Sequence, residues 1–122
     1  MAGKCILVVE DSLSISEMVR DELSAAGYEV HVKNNGFEAL RDLEDIMPDL
    51  IITDIMMPKV NGLELCWAMQ NRLETKSIPF ILFSSNFDAE TVKRGREIGA
   101  RFFIAKPFKM ETLMAAVGKV FS

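Results

Sequence analysis

Cys5-Ile6-Leu7-Val8-Val9-Glu10-Asp11-Ser12 is the most telling stretch of this chain. Its first five residues form an unbroken apolar run of strand length, the pattern of a strand covered on both faces. Three polar residues stop the run. Ile15, Met18, Val19 and Leu23 then recur at helical spacing until Gly27, where glycine takes a left-handed stop at little cost. A doubly covered strand that passes at once into a helix opens a βαβ unit.

The alternation continues along the chain. Tyr28 to Val32 reads as a second strand, partly alternating and so suited to a sheet edge, and Phe37, Leu40, Leu43 and Met47 give a helical stripe closed by Pro48. Asp49 to Thr53 is a third strand. A loop rich in Met, Pro, Asn and Gly runs to Gly62, and Cys66, Met69 and Leu73 mark the next helix. Pro79 to Phe83 is a fourth strand, followed by a helix from about Phe87 to Ile98 with the weakest stripe, Val92 and Ile98 around Gly95. Phe102 to Ala105 is the fifth strand, and Met110, Leu113, Met114, Val117 and Val120 line an amphipathic last helix. Strictly alternating strands and helices imply parallel pairing with helices on both faces. A closed barrel needs about eight such units, so the expectation is an α/β, doubly wound five-stranded parallel sheet with five helices. No linker or repeat divides residues 1–122, which read as one domain.

Composition narrows the function. The 122 residues carry 14 Lys+Arg and 18 Asp+Glu, a net charge of −4, which disfavours a phosphate-backbone binder. With 49% hydrophobic and 26% charged residues, disorder is excluded as the native state. No apolar run reaches the roughly 18 residues of a membrane span, and the N-terminus lacks signal-peptide character, so a cytoplasmic location is expected. Cys5, Cys66 and the single His31 are too few for a structural zinc site of about four N/S donors. Two buried free thiols are the expectation.

Ligands of open parallel sheets bind beyond the carboxyl ends of the strands. Glu10-Asp11-Ser12 follow the first strand, Asp54 the third, Ser84-Ser85 the fourth, and Lys106-Pro107 the fifth. Three carboxylates, a hydroxyl and a lysine thus point toward one rim. Carboxylates so close raise one another's pKa unless a cation shares the site. Mg²⁺ suits them, since it takes one or two protein carboxylates and keeps water and phosphate oxygens. One carboxylate can then act as nucleophile toward phosphorus, with Lys106 and the Ser84 hydroxyl facing the transferred group. Each residue also has a plain structural role open to it. Asp11 or Ser12 could N-cap the first helix, Asp54 could be a turn residue, Ser84 or Ser85 could cap the fourth helix with Asp88 in its first turn, and Lys106 could be a solvated loop lysine. That all of them fall at the carboxyl ends of strands favours the phosphoryl-transfer reading.

The motifs Val8 to Ser12 (VVEDS), Leu50 to Gly62 (LIITDIMMPKVNG), Pro79 to Ser85 (PFILFSS) and Ala105 to Phe108 (AKPF) occur in this order. On them, the chain resembles a response-regulator receiver domain of two-component signalling, similar to the chemotaxis regulators, from about Lys4 to Phe121. The resemblance implies a flavodoxin-like strand order 2-1-3-4-5. It also implies that Asp54 is the phosphoacceptor and that Glu10 and Asp11 hold Mg²⁺ together with Asp54 and the main-chain oxygen of Met56. Ser84 would be the switch hydroxyl, Lys106 the phosphoryl partner, Phe103 the switch aromatic, and Lys106–Pro107 a cis peptide bond. The implied partners are a sensor histidine kinase or phosphotransfer protein and an effector of unstated kind, with no nucleic acid or membrane bound directly, the domain being a monomer or weak homodimer. The switch would reshape the face made by the fourth helix, fifth strand and last helix. The domain would not be an enzyme in the ordinary sense, though it promotes its own Mg²⁺-dependent phosphotransfer and dephosphorylation.

Three departures from the family pattern stand out. Phe103 lacks a hydroxyl, so its rotamers differ only in packing. Met56 and Asn86 border the route of water to an acyl phosphate, which points to a longer-lived phosphorylated state. Met57 is expected to be exposed for partner contact. Two rival functions are an interaction module that needs no phosphorylation, whose usual mark is loss of the acceptor or acid pair, and a Mg²⁺-dependent aspartyl-phosphate phosphohydrolase. The latter wants an aspartate two residues after the nucleophile, where this chain has Met56.

Overall fold

The computed structural model describes residues 3–57 and 60–122. Pro58 and Lys59 of the loop motif, and Met1 and Ala2, lie outside the described residues. Strands and helices alternate throughout: β1 (Cys5–Val9), α1 (Leu13–Ala25), β2 (Glu29–Lys33), α2 (Gly36–Ile46), β3 (Leu50–Asp54), α3 (Gly62–Gln70), β4 (Phe80–Ser84), α4 (Ala89–Glu97), β5 (Phe102–Ala105) and α5 (Met110–Phe121). All four strand pairings are parallel, in the order β2-β1-β3-β4-β5. The expected fold is the observed one.

The pleat sends alternate residues of each strand into two cores. Leu7, Val9, Ile51, Phe80 and Leu82 pack with Ala39 and Leu43 of α2 and Leu65, Cys66 and Met69 of α3. Ile6, Val8, Leu50, Ile52, Ile81 and Phe83 pack on the other face with Val19 and Leu23 of α1 and Leu113, Ala116 and Val117 of α5. Every residue of β1, β3 and β4 is buried, whereas β2 is half-exposed as an edge strand should be. Gly27 (φ 99°) and Gly99 (φ 93°) take the left-handed conformation that stops α1 and α4.

The helix stripes differ from expectation in phase. Met18, Phe37 and Met47 are exposed, and Ser16, Gly36 and Ala39 are turned inward in their place. Ser16 tolerates burial because its hydroxyl donates to the Leu13 carbonyl. Met47 is the left-handed residue (φ 45°) that closes α2 before Pro48. Leu73 lies outside α3, which ends at Gln70 where the Asn71 side chain donates to the Trp67 carbonyl, and Leu73 is 77% exposed. Both cysteines are buried free thiols, as expected.

Candidate functional site

The strand ends deliver the chemistry. Asp54 is the last residue of β3 and Ser84 the last of β4, while Glu10 follows β1 directly and Lys106 follows β5. Glu10 stays in register because its amide donates to the Lys33 carbonyl, extending the β1–β2 ladder by one step. Thr53 fixes the neighbouring peptide by donating from its hydroxyl to the Asp54 carbonyl at 2.9 Å.

Lys106 Nζ donates to Glu10 Oε1 at 2.7 Å and to Asp54 Oδ2 at 2.8 Å. Glu10 is 1% exposed and Asp54 5%, so this is an ion-paired cluster out of water. The other carboxylate oxygens take main-chain amides: Glu10 Oε2 accepts from Ser12 at 2.9 Å, and Asp54 Oδ1 from Met56 at 3.2 Å. Asp11, which is exposed, offers an oxygen that lies within 4.8 Å of those of Glu10 and Asp54. Burial pushes the Glu10 carboxyl above its ordinary pKa, the nearby Asp54 charge adds to this, and the bonds from Lys106 and the Ser12 amide only partly offset it. Burial works against the Lys106 ammonium, but its bonds to Asp54 and Glu10 outweigh that and raise its pKa. The ammonium also sits 5.0 Å from the centroid of the Phe83 ring.

Two carboxylates therefore share one ammonium, with a third beside them. All the donors are hard oxygens, the set a Mg²⁺ ion takes, and a divalent charge would relieve the repulsion that Lys106 alone leaves. The residues present fit that ion.

The plain structural roles divide. The Ser12 side chain makes no capping bond to α1, so capping does not account for the acidic pair. Asp54 does close a turn through Met56, and it holds Lys106 as well. Asp88, not Ser84 or Ser85, caps α4, its carboxylate accepting from the Thr91 amide at 2.8 Å. Lys106 is no solvated loop lysine, with a side chain 15% exposed.

The Ser84 side chain is buried and its hydroxyl is engaged away from Asp54: Oγ accepts from the Asn86 amide at 3.1 Å and donates weakly to the Asn86 carbonyl at 3.5 Å. Phe103 packs edge-on against Phe87 at 5.5 Å between centroids. Gly95 is the only buried residue of α4 and lies so close that an added Cβ would meet Phe103 Cε1 at 2.6 Å. Lys106–Pro107 is cis. Met57 is half-buried, contrary to expectation, because it packs against the core beneath α2 and α3; Met56 is exposed, at 68%.

Two further glycines shape the site. A Cβ on Gly62 would collide with the Asp54 carbonyl, and one on Gly36 with the Val60 carbonyl. Asn61, which precedes Gly62, caps α3 reciprocally with Glu64 at 2.9 Å in each direction. The Asn-x-x-Glu spacing was visible in the sequence as a capping box; the close approach of Gly62 to Asp54 had no local signal.

Among the described residues, no helix is long and apolar enough to cross a membrane. The chain is 39% identical over 112 residues to the phosphate regulon transcriptional regulatory protein PhoB of Rhizobium meliloti, covering 92% of this chain and 49% of that protein. It is 33% identical to protein PilG of Pseudomonas aeruginosa over 94% of this chain and 85% of that one. The chain spans about half the length of most of the curated relatives it matches. Among solved structures, the chemotaxis protein CheY4 of Vibrio cholerae superposes with a TM-score of 0.91 at 34% identity, over 98% of this chain and 99% of that one. A family model for the response regulator receiver domain matches residues 6–118. The chain therefore belongs to the response-regulator receiver family, phosphorylation-dependent switches of two-component signalling that partner with histidine kinases and effector domains and in which Mg²⁺ and an aspartyl phosphate are general features.

Proposed function

We propose that residues 1–122 act as one receiver domain that takes a phosphoryl group onto Asp54 from the phosphohistidine of a kinase or phosphotransfer protein. The observation that carries this reading is the pair of hydrogen bonds that Lys106 donates to Asp54 and Glu10, with Asp11 alongside. A carboxylate oxygen of Asp54 forms the new O–P bond as the donor's P–N bond breaks, and the histidine leaves with that electron pair. Glu10, Asp11, Asp54 and the main-chain oxygen of Met56 would hold Mg²⁺, which when bound neutralises charge on the transferring oxygens.

The remaining steps belong to the chain itself. Asp54 exchanges a carboxylate for an acyl phosphate of about −1.5 to −2 charge, and Lys106 turns from the carboxylate to the new oxygens. Ser84 leaves Asn86 and donates to the phosphoryl group. Phe103 moves into the space vacated, which unseats Gly95 and so α4. The face of α4, β5 and α5 is thereby reshaped for an effector, a shift between two packings of one fold. Arg94 and Arg96 place two cations in the last turn of α4. The free thiols and acidic surface agree with a cytoplasmic domain, monomeric or weakly dimeric, that binds neither nucleic acid nor membrane directly. It is a switch that promotes its own Mg²⁺-dependent phosphorylation and dephosphorylation, not an enzyme acting on other substrates.

The test is incubation of the chain with a small phosphodonor and Mg²⁺, read by intact mass. One phosphoryl adduct is expected, absent from Asp54→Ala. Steady release of phosphate from unrelated esters would overturn the reading in favour of a hydrolase.

A further inference from the structure

The parallel register of β1 and β2 sets Cys5 opposite Glu29 and Leu7 opposite His31. Cys5, Glu29 and His31 therefore share one face of the sheet at the amino end of its edge, and their sulfur, carboxylate oxygen and ring nitrogen all lie within 4.8 Å of one another. We propose that these three side chains form a Zn²⁺ site, the fourth position open to water. The site stands about 16 Å, five residues of β1, from the acidic cluster at the other end of the strand, and the proposal does not depend on phosphorylation of Asp54.

The donor set selects the metal. A thiolate and an imidazole favour Zn²⁺ over Mg²⁺ or Ca²⁺, and three protein ligands with one open position is a regular zinc arrangement. Bond lengths of about 2.3 Å to sulfur and 2.0–2.2 Å to nitrogen and oxygen place ligand atoms about 3.3–3.6 Å apart in a tetrahedron. The three ligand atoms lie within 4.8 Å of one another, so side-chain rotations need bring them closer by at most about 1.5 Å. His31 Nε2 and Glu29 Oε2, now hydrogen-bonded at 2.7 Å, must part by about half an ångström as the metal replaces the proton between them. The pairing of β1 with β2 holds the three backbone positions side by side.

Charge agrees. The Asp49 carboxylate accepts from the Cys5 amide at 2.8 Å and adds a negative group beside the site. Burial first, then Glu29 and Asp49, raise the pKa of the Cys5 thiol. A dication placed among these groups reverses the two electrostatic causes, and binding releases the thiol proton. Access is open from the sheet edge: the His31 and Glu29 side chains are 40% and 64% exposed. Cys66 cannot substitute, being fully buried in the core under α3.

The reduced full chain, in excess Mg²⁺ to fill the acidic cluster, is titrated with Zn²⁺ by calorimetry and with Co²⁺ as an optical probe. One ion per chain is expected, with a thiolate-to-cobalt charge-transfer band that Cys5→Ser abolishes. His31→Ala and Glu29→Gln, both on the edge strand β2 and outside the two cores, weaken Zn²⁺ binding by about tenfold or more. Asp54→Asn leaves it unchanged. A Co²⁺ spectrum without a sulfur band, or Zn²⁺ binding that survives His31→Ala and Glu29→Gln or is lost in Asp54→Asn, overturns the proposal.

Discussion

Replacing Lys106 by Met removes the one ammonium shared by Glu10 and Asp54 while keeping most of the packing over Phe83. Two carboxylates, 1% and 5% exposed, are then left facing each other. Breaking a buried ion pair by deleting one partner costs about 3–5 kcal/mol. The protein has an escape, which is to protonate Glu10. At pH 7, protonating a carboxyl of ordinary pKa about 4.3 costs about 3.7 kcal/mol, and at pH 5.5 about 1.6 kcal/mol. The penalty is therefore capped, and the cap falls with acid. In the metal-free variant the folded-state pKa of Glu10 lies further above its unfolded value than in the native chain. A raised carboxyl pKa gives stability that is lost as pH rises above the unfolded value, so the deficit of Lys106→Met grows from pH 5.5 to pH 7. A loss of about 3 kcal/mol lowers the melting temperature of 122 residues by about 12 °C. Mg²⁺ at a hundred times its dissociation constant returns about 2.7 kcal/mol, and the variant should gain more from it than the native chain does. Urea and thermal melts at pH 5.5 and 7, with chelator or with Mg²⁺, measure all of this. A deficit below about 1 kcal/mol at pH 7, or one that does not shrink in acid, refutes the account of Lys106 as the counter-charge of a buried acidic pair.

Gly95→Ala forces its new methyl against Phe103 and should cost about 1–3 kcal/mol in urea melts; adding Phe103→Ala should recover part of that loss, and strict additivity of the two would refute the contact. Met56→Asn should speed dephosphorylation of Asp54 about tenfold, equivalent to about 1.4 kcal/mol off the barrier, as followed by loss of the phosphoryl mass; an unchanged rate removes Met56 as a shield. Asn61→Ala removes the side-chain acceptor of the Glu64 amide while residue 61 keeps its own amide for Glu64, and should lower stability by about 1 kcal/mol, with faster amide exchange in the first turn of α3 as the local sign.

What could be read from the chain was whatever depends on neighbours in sequence. The apolar runs gave the strands, Gly27 and Gly99 marked helix ends, and polar residues just beyond the strands assembled the rim of Glu10, Asp11, Asp54 and Lys106. Side-chain phase was harder. Ser16 enters the core because a carbonyl three residues back satisfies its hydroxyl, and Met18 stays outside although its type suggests otherwise. Leu73 continues a helical spacing beyond the point where Asn71 ends the helix. Contacts between distant segments had no signature: Gly62 against the Asp54 carbonyl, Gly95 beneath Phe103, and the meeting of Cys5 with His31, which needs the exact pairing of two strands.

The resting partners of Lys106 bear on how strongly the domain can signal. Two of the three N–H donors of its ammonium are already engaged, by Glu10 and Asp54, so on the proposed mechanism modification exchanges these contacts for others. On that mechanism the free energy that drives α4 is the difference between those sets. A partner that grips only the altered face would then itself add to the bias.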